Sequence, residues 1–89
     1  MSRKAGEILY HSNFAAAYKN LPSSIKERAM AKELLFRDNI FHPLLKTHKL
    51  KGWLSGLYSF SVDFKYRILF KFHKDLIIFL DIDDHDLYK

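Results

Sequence analysis

The sequence predicts an α+β fold, with two N-terminal helices packed on one face of a small antiparallel sheet in the element order β-α-α-β-β-β. Two observations support this prediction. The first half contains two segments with helix signals, and the second half alternates apolar and polar residues with a period of two. Because helices on one face of such a sheet leave its other face open, we expect a ligand to bind there.

The length and composition predict one domain over residues 1–89. A chain of 89 residues has room for one core, and its 48% hydrophobic content can fill that core without disulfides, since the chain has no cysteine. No apolar run approaches the roughly 20 residues of a membrane span, and no signal-peptide pattern follows the first basic residues. We expect a cytoplasmic protein with no membrane partner.

The N-terminal segment predicts a strand and a short helix. Residues 7–11 are a strand candidate, and Ser12 and Asn13 can cap the helix that follows. Apolar residues then recur at helical spacing up to Leu21, and Pro22 ends this helix.

A second, longer helix is predicted from Ser24, which forms a capping-box pattern with Glu27, to about Asp38. Its apolar residues do not form one stripe, because Met30 and Leu34 project about 140° away from the others. The prediction of this helix therefore depends mainly on the cap and on helix propensity.

The C-terminal half predicts the strands. Every even position from 58 to 72 is aromatic or β-branched, whereas the odd positions are polar except Leu69, so one sheet face is predicted to be polar and basic. Turns are expected near residues 63–65 and 73–75. Residues 76–80 are apolar at odd and even positions alike, which indicates a central strand covered on both faces.

The charge of the chain is unevenly distributed. Residues 1–74 contain 14 of the 15 basic residues and 5 of the 10 acidic residues, a net charge of +9, whereas residues 75–89 carry −4. A basic body favours a polyanionic partner, because neutralising phosphates releases condensed counterions. The charge therefore indicates a nucleic-acid partner without identifying it.

Four runs of residues, taken in order, resemble the pattern of the RelE/ParE toxin superfamily, and its YafQ and YoeB branches above all. They are HKLKG at 48–52, YSFSV at 58–62, YRILF at 66–70 and HDLY at 85–88. The two predicted helices also precede these runs in the expected order, so the resemblance covers nearly the whole chain.

This resemblance implies the toxin of a type II toxin–antitoxin module. Such a toxin enters the A site of the 70S ribosome, cleaves the bound mRNA without a metal or other cofactor, and is neutralised by a cognate antitoxin. The implied reaction is attack of a ribose 2′-hydroxyl on the adjacent phosphate. That attack needs a base, stabilisation of a dianionic phosphorane, and an acid for the leaving 5′-oxygen.

Arg67 is the first candidate for binding the phosphate. It lies at a polar position of an otherwise apolar strand and matches the family motif, and its planar guanidinium suits a phosphate better than a lysine does. The alternative is a surface arginine paired with Asp63 or with the acidic C-terminal segment.

Several lysines are candidates for holding the RNA backbone. Lys49 and Lys51 alternate along one predicted strand, so both are expected to project toward the same face, although lysines at a strand edge also discourage aggregation. Lys46, Lys65 and Lys71 are expected to contribute general electrostatic attraction.

Two further candidates lie near the C-terminus. His85 is surrounded by carboxylates that favour its protonated form, as a general acid requires, and its alternative is a solvated histidine. Tyr88 is expected to stack on an unpaired base or bind the phosphate, or else to pack the end of the chain against the body.

The general base is divided between two residues. His48 resembles a catalytic histidine of the YafQ branch, and Asp63 is the carboxylate nearest the hairpin position where YoeB-like toxins carry a glutamate base. The chain departs from the YafQ pattern, because Ser61 and Lys65 stand where those toxins carry a second histidine and an aspartate. We therefore expect a slower enzyme or an altered specificity.

Trp53 has two interpretations, a base-stacking platform or a core or partner-binding residue. Together with Leu57 and the N-terminal helices, it forms the apolar rim on which an antitoxin segment is expected to dock. No metal site is expected, because the five histidines and the aspartates lack ligand spacing on a recognisable element.

Two other functions stay open on the sequence alone. One is a ParE-like toxin, which shares the fold but inhibits DNA gyrase and cuts no RNA. The other is a non-catalytic relative that binds RNA or antitoxin, which the missing second histidine would explain.

Overall fold

Two helices pack on one face of a five-stranded sheet in the computed structural model, which describes residues 3–84. The elements are β1 Glu7–Tyr10, α1 Ser12–Lys19, α2 Ser23–Asp38, β2 His48–Lys49, β3 Tyr58–Ser61, β4 Tyr66–His73 and β5 Leu76–Asp84, with 3₁₀ turns at Pro43–Leu45 and Gly52–Leu54. The predicted α+β fold, with both helices on one face, is confirmed.

The sheet has the strand order β1-β5-β4-β3-β2. Four strands, β2 to β5, follow the helices, one more than predicted, and they form the predicted antiparallel meander. β1 pairs in parallel with β5, so the sheet is mixed. The prediction of a wholly antiparallel sheet was wrong for this one pair. Parallel neighbours require a long connection, and the helices and three strands between β1 and β5 provide it.

The two predicted turns are confirmed. β3 ends at Ser61 and β4 begins at Tyr66, while β4 ends at His73 and β5 begins at Leu76. β5 also lies between two other strands, as its apolar sequence predicted, and extends to Asp84.

The main core lies between the helices and the sheet, and the even positions of β3 and β4 face it as predicted. Phe36 of α2 is fully buried at its centre. Its ring stacks on Phe60, with 4.7 Å between centroids, and meets Phe70 and Phe79 edge-on at 5.0 and 5.4 Å. These aromatic contacts join α2 to the three central strands.

Both helices begin differently from the prediction. The N-cap of α1 is His11, whose Nδ1 accepts the backbone N–H of Asn13. α2 begins at Ser23 after Pro22, and no side chain caps it, so the capping box at Ser24 was wrong. Pro22 is the N-cap, with an extended ψ of 147°, and its carbonyl oxygen accepts the backbone N–H groups of Ile25 and Lys26 at 3.0 Å each.

The outer side of α2 carries the residues that divided its apolar stripe. Met30 and Leu34 are 59% and 70% exposed, whereas Ala29 and Phe36 are buried. Within residues 3–84, neither helix has the length and apolar character that crossing a membrane requires.

The face of the sheet away from the helices is only partly polar. Leu69 of β4 packs there in a second apolar cluster with Leu50 and Leu54, which Leu57 and Leu80 flank. The segment that follows β2 therefore folds over part of this face. β2 itself stops at Lys49, so the predicted strand through Lys51 was too long, and the chain turns at Gly52, whose φ is +69°.

Candidate functional site

Arg67 lies on the open face of the sheet, opposite the helices. It is half-buried on β4, and the next residue, Ile68, faces the core. The cross-strand neighbours of Arg67 are Ser61 of β3 and Asp83 of β5. No residue in the range 3–84 forms a hydrogen bond or an ion pair with its guanidinium. The predicted alternative of a pairing with Asp63 is therefore wrong, and the alternative of a pairing with the acidic C-terminal segment is wrong for its described residues 75–84.

Two aspartates of β5 lie on the same face as Arg67. Asp83 is the cross-strand neighbour of Arg67, and Asp81 lies opposite Leu69. One carboxylate oxygen of each accepts the backbone N–H of the following residue, at 2.8 Å for Asp83 and 2.9 Å for Asp81. The sequence predicted the acidic C-terminal segment as one alternative partner of Arg67, but only the strand register shows that Asp83 is its neighbour.

His48 lies on the same face, at the exposed edge of the sheet. On β3, the cross-strand neighbour of His48 is Ser59, and the cross-strand neighbour of Arg67 is Ser61, two residues later. Two interstrand spacings of about 4.8 Å and two residues of rise separate the Cα atoms of His48 and Arg67 by about 12 Å. The two side chains thus lie diagonally across one patch of the sheet.

A hydrogen bond determines the tautomer of His48. Its Nδ1 is 3.0 Å from the carbonyl oxygen of Lys46, and since a carbonyl can only accept, Nδ1 must carry the proton. The neutral ring therefore has its lone pair on Nε2. His11 and His42 have the opposite arrangement, because their Nδ1 atoms accept backbone N–H groups at helix starts.

Asp63 forms the turn between β3 and β4. Its Oδ1 accepts the backbone N–H groups of Lys65 and Tyr66 at 2.8 and 2.7 Å, and its Oδ2 is 3.3 Å from a guanidinium nitrogen of Arg28 on α2. Burial acts to raise the pKa of Asp63, but the two backbone donors and Arg28 outweigh it and lower the pKa below its ordinary value. A carboxylate held in this way is a weak base and faces the helices, away from Arg67.

The two residues at which the sequence departs from the YafQ pattern flank and enter this turn, since Ser61 ends β3 and Lys65 directly precedes β4. The hydroxyl of Ser61 donates to the carbonyl oxygen of Asp63 at 2.9 Å. Lys65 Nζ is 4.0 Å from Asp84 and 5.7 Å from the ring centroid of Tyr66. Both side chains are therefore engaged in local contacts within residues 61–84.

The remaining lysine candidates separate into two groups. Lys49 and Lys51 are exposed and line a groove of about 500 Å³ together with His48 and Trp53. The register pairs Lys49 with Tyr58, whose ring packs on the core side, so Lys49 does not share the row of Arg67.

Two other lysines surround the patch. Lys71 lies four residues after Arg67 on the same face of β4, opposite Ile78. Lys46 is exposed and in the left-handed conformation, with φ of 51°, which directs its carbonyl oxygen to His48.

The candidates His85 and Tyr88 lie outside the described residues. Their roles therefore stay predictions. Within residues 3–84, no group of three or more histidine, cysteine, aspartate or glutamate side chains has a metal-binding arrangement.

The fold is similar to that of solved toxins over nearly the whole length of both chains. A YoeB/ParE toxin from Agrobacterium tumefaciens superposes with a TM-score of 0.74 at 14% sequence identity, covering 90% of this chain and 99% of the toxin. YafQ from E. coli gives a TM-score of 0.69 at 18% identity, covering 91% of this chain and 94% of YafQ.

A chain from the RelB-RelE antitoxin-toxin complex of Methanococcus jannaschii gives a TM-score of 0.68 at 22% identity, covering 89% of this chain and 92% of that one. No protein-family model matches the chain, and no curated protein matches it by sequence. The protein thus has the fold of the small α+β toxins. More narrowly, it has the RelE/ParE fold that its sequence motifs resemble.

Proposed function

We propose that the protein is the toxin of a type II toxin–antitoxin module and cleaves mRNA on the ribosome. One observation carries this proposal. Arg67, which has no partner among residues 3–84, lies diagonally across the open sheet face from a histidine whose Nε2 carries a lone pair. The likeness of the fold to YoeB, YafQ and RelE toxins supports the same class of function.

His48 is the general base of the proposed reaction. Its Nε2 takes the proton of a ribose 2′-hydroxyl, and the resulting 2′-oxygen attacks the adjacent phosphorus. The Nδ1 hydrogen bond to Lys46 supports this role, because it holds the ring in the tautomer that a base requires. Asp63 is left out of the reaction, because its oxygens bind the turn and Arg28.

Arg67 binds the phosphate and stabilises the charge that builds on its oxygens as the phosphorane forms. Its half-burial strengthens this interaction relative to one in water, and its fork can donate to two oxygens at once. Lys49, Lys51 and Lys71 hold the neighbouring backbone, while Lys46 and Lys65 contribute to the general field.

His85 is the proposed acid, and Tyr88 the proposed contact to a base or the phosphate. The bond between phosphorus and the 5′-oxygen breaks, and His85 gives that oxygen its proton. The products are a 2′,3′-cyclic phosphate and a 5′-hydroxyl, and every proton and electron pair is accounted for without a metal.

The proposed partners follow from this function. They are mRNA in the A site of the 70S ribosome and a cognate antitoxin, as in the antitoxin-toxin complex from M. jannaschii. The proposed location is the cytoplasm, where ribosomes translate.

Primer extension on translated mRNA tests the proposal. The wild type should produce cuts that need ribosomes and leave a 5′-hydroxyl, and Arg67→Ala should reduce the cleavage rate by about 10² to 10³-fold. Arg67→Lys should recover little of it, since lysine cannot donate in a fork. His48→Ala and His85→Ala should each lower the rate by about 10² or more.

Arg37→Ala is the matched control, because it removes the same charge from the helix side, where Arg37 lies 3.2 Å from Glu33. Its cleavage rate should equal that of the wild type. Intact mRNA together with inhibition of gyrase supercoiling would replace the nuclease proposal with the ParE-like function. Intact mRNA with RNA binding alone would indicate the non-catalytic relative.

A further inference from the structure

A largely exposed tryptophan, Trp53, lies beside the proposed site. Trp53 lies in the 3₁₀ turn Gly52–Leu54 and is 85% exposed. Its interpretation as a core residue is therefore wrong. Leaving so large an apolar ring in water forgoes the free energy that its burial would contribute, which calls for a reason.

The 3₁₀ turn that exposes the Trp53 ring is itself well packed. Leu54, the next residue, is 7% exposed and packs with Leu50 and Leu69 in the second apolar cluster. The backbone N–H of Ser55 donates to the carbonyl of Gly52 at 3.0 Å, and that of Leu50 donates to Leu57 at 2.9 Å. The side chain of Trp53 is thus presented by an anchored segment.

The surroundings of Trp53 are cationic. The groove of about 500 Å³ that it lines is also lined by His48, Lys49 and Lys51, and none of its described lining residues is acidic. An exposed aromatic ring in a positively charged groove is the arrangement by which proteins bind single-stranded nucleic acid, with the base on the ring and the backbone along the cations.

We propose that Trp53 stacks on an unpaired RNA base on the 5′ side of the cleaved phosphate and contributes to the choice of cleavage site. The inference rests on the proposed function. Because His48 faces the ribose whose hydroxyl attacks, the nucleotide on that side of the phosphate occupies the groove that His48 and Trp53 share. A stacked base adds affinity there without entering the reaction.

The binding test uses the fluorescence of Trp53, which is the only tryptophan in the chain. The full-length protein is titrated with a single-stranded 2′-deoxy oligonucleotide, which lacks the attacking hydroxyl and so cannot be cleaved. A separate titration uses inorganic polyphosphate. Saturable quenching by the oligonucleotide but not by polyphosphate supports stacking. Equal effects of the two, or no quenching by the oligonucleotide, would overturn the inference.

Two substitutions at Trp53 distinguish the effect of an aromatic ring from the effect of an apolar side chain. Trp53→Leu should weaken binding of a labelled oligonucleotide about tenfold, and Trp53→Phe should stay within about threefold of the wild type. Phe64→Leu is the control, since Phe64 is 88% exposed on the β3–β4 turn and does not belong to the described groove lining. Wild-type affinity in Trp53→Leu would contradict the inference.

A cleavage arm distinguishes this inference from the proposed function. On translated mRNA, Trp53→Leu should still cut but with a changed base preference 5′ of the cuts. Cleavage with an unchanged preference and unchanged binding would remove the role of Trp53 and leave the nuclease intact. Quenching by RNA in a wild type that cuts nothing would overturn the nuclease and leave the base-binding role.

Discussion

At the scale of single residues, hydrogen bonds separate Arg67 from Asp63, although residue type alone makes both candidates. The carboxylate oxygens of Asp63 accept two backbone N–H groups and pair with Arg28, whereas the guanidinium of Arg67 has no partner among residues 3–84. The same logic applies to the histidines. His11 and His42 cap helices through an accepting Nδ1, and only His48 donates from that atom within the described chain.

Asp63→Asn should lower stability in a pH-dependent way. Asparagine keeps an acceptor oxygen for the turn but loses the charge, so at pH 7 the free energy of unfolding should fall by about 1 to 2 kcal/mol. Because the pKa of Asp63 is lowered below its ordinary value of 3.8, the contribution of the charge is complete above that value. It is lost as the pH falls through the folded-state pKa.

Urea unfolding of the wild type and Asp63→Asn at pH 7, 5 and 3 measures this effect. The gap between the two proteins should be the same at pH 7 and 5 and smaller at pH 3. A gap that did not change with pH would show that the charge of Asp63 contributes nothing to stability.

At the scale of elements, backbone conformation explains where the strands end. β4 and β5 are joined by the two residues Lys74 and Asp75, and Lys74 has a φ of 56°. A positive φ is costly for a residue with a Cβ atom, by roughly 1 to 2 kcal/mol. The tight hairpin thus forms although its first turn residue is poorly suited to it.

Lys74→Gly should therefore stabilise the hairpin. Glycine removes the steric cost but adds freedom to the unfolded chain, so we expect a net rise of about 0.5 to 1 kcal/mol in the free energy of unfolding. Asp75→Gly is the control, because Asp75 does not have a positive φ and should lose stability. Thermal unfolding of both variants measures the difference, and a lower melting temperature for Lys74→Gly would refute the explanation.

At the scale of the whole molecule, one aromatic cluster holds the helices to the sheet. Phe36 contacts the rings of three strands and is fully buried, whereas Phe64 is 88% exposed on a turn. The same residue type therefore occupies the two extremes of burial in one small protein, which allows a matched comparison.

Phe36→Ala should lower the free energy of unfolding by about 4 kcal/mol, since it removes buried surface and leaves a cavity. Phe64→Ala should change it by less than about 0.5 kcal/mol. Equilibrium urea unfolding followed by circular dichroism measures both. Similar midpoints for the two variants would mean that the aromatic cluster does not hold the fold together.

The sequence by itself determined the fold class, the turns, and the side of β4 on which Arg67 lies. Each of these follows from a local pattern, because alternation along a strand sends neighbouring side chains to opposite faces whatever the rest of the chain does. The family resemblance likewise rests on short runs of residues. These parts of the prediction agree with the structure.

Only the tertiary structure decided the parallel pairing of β1 with β5, the ion pair of Asp63 with Arg28 and the exposure of Trp53. The physical reason is the same in each case. The pairing and the ion pair of Asp63 join residues 35 or more positions apart, and the exposure of Trp53 depends on how its segment folds over β4. The local pattern of apolar and polar residues does not specify contacts between distant residues, so these contacts are seen only in the folded structure.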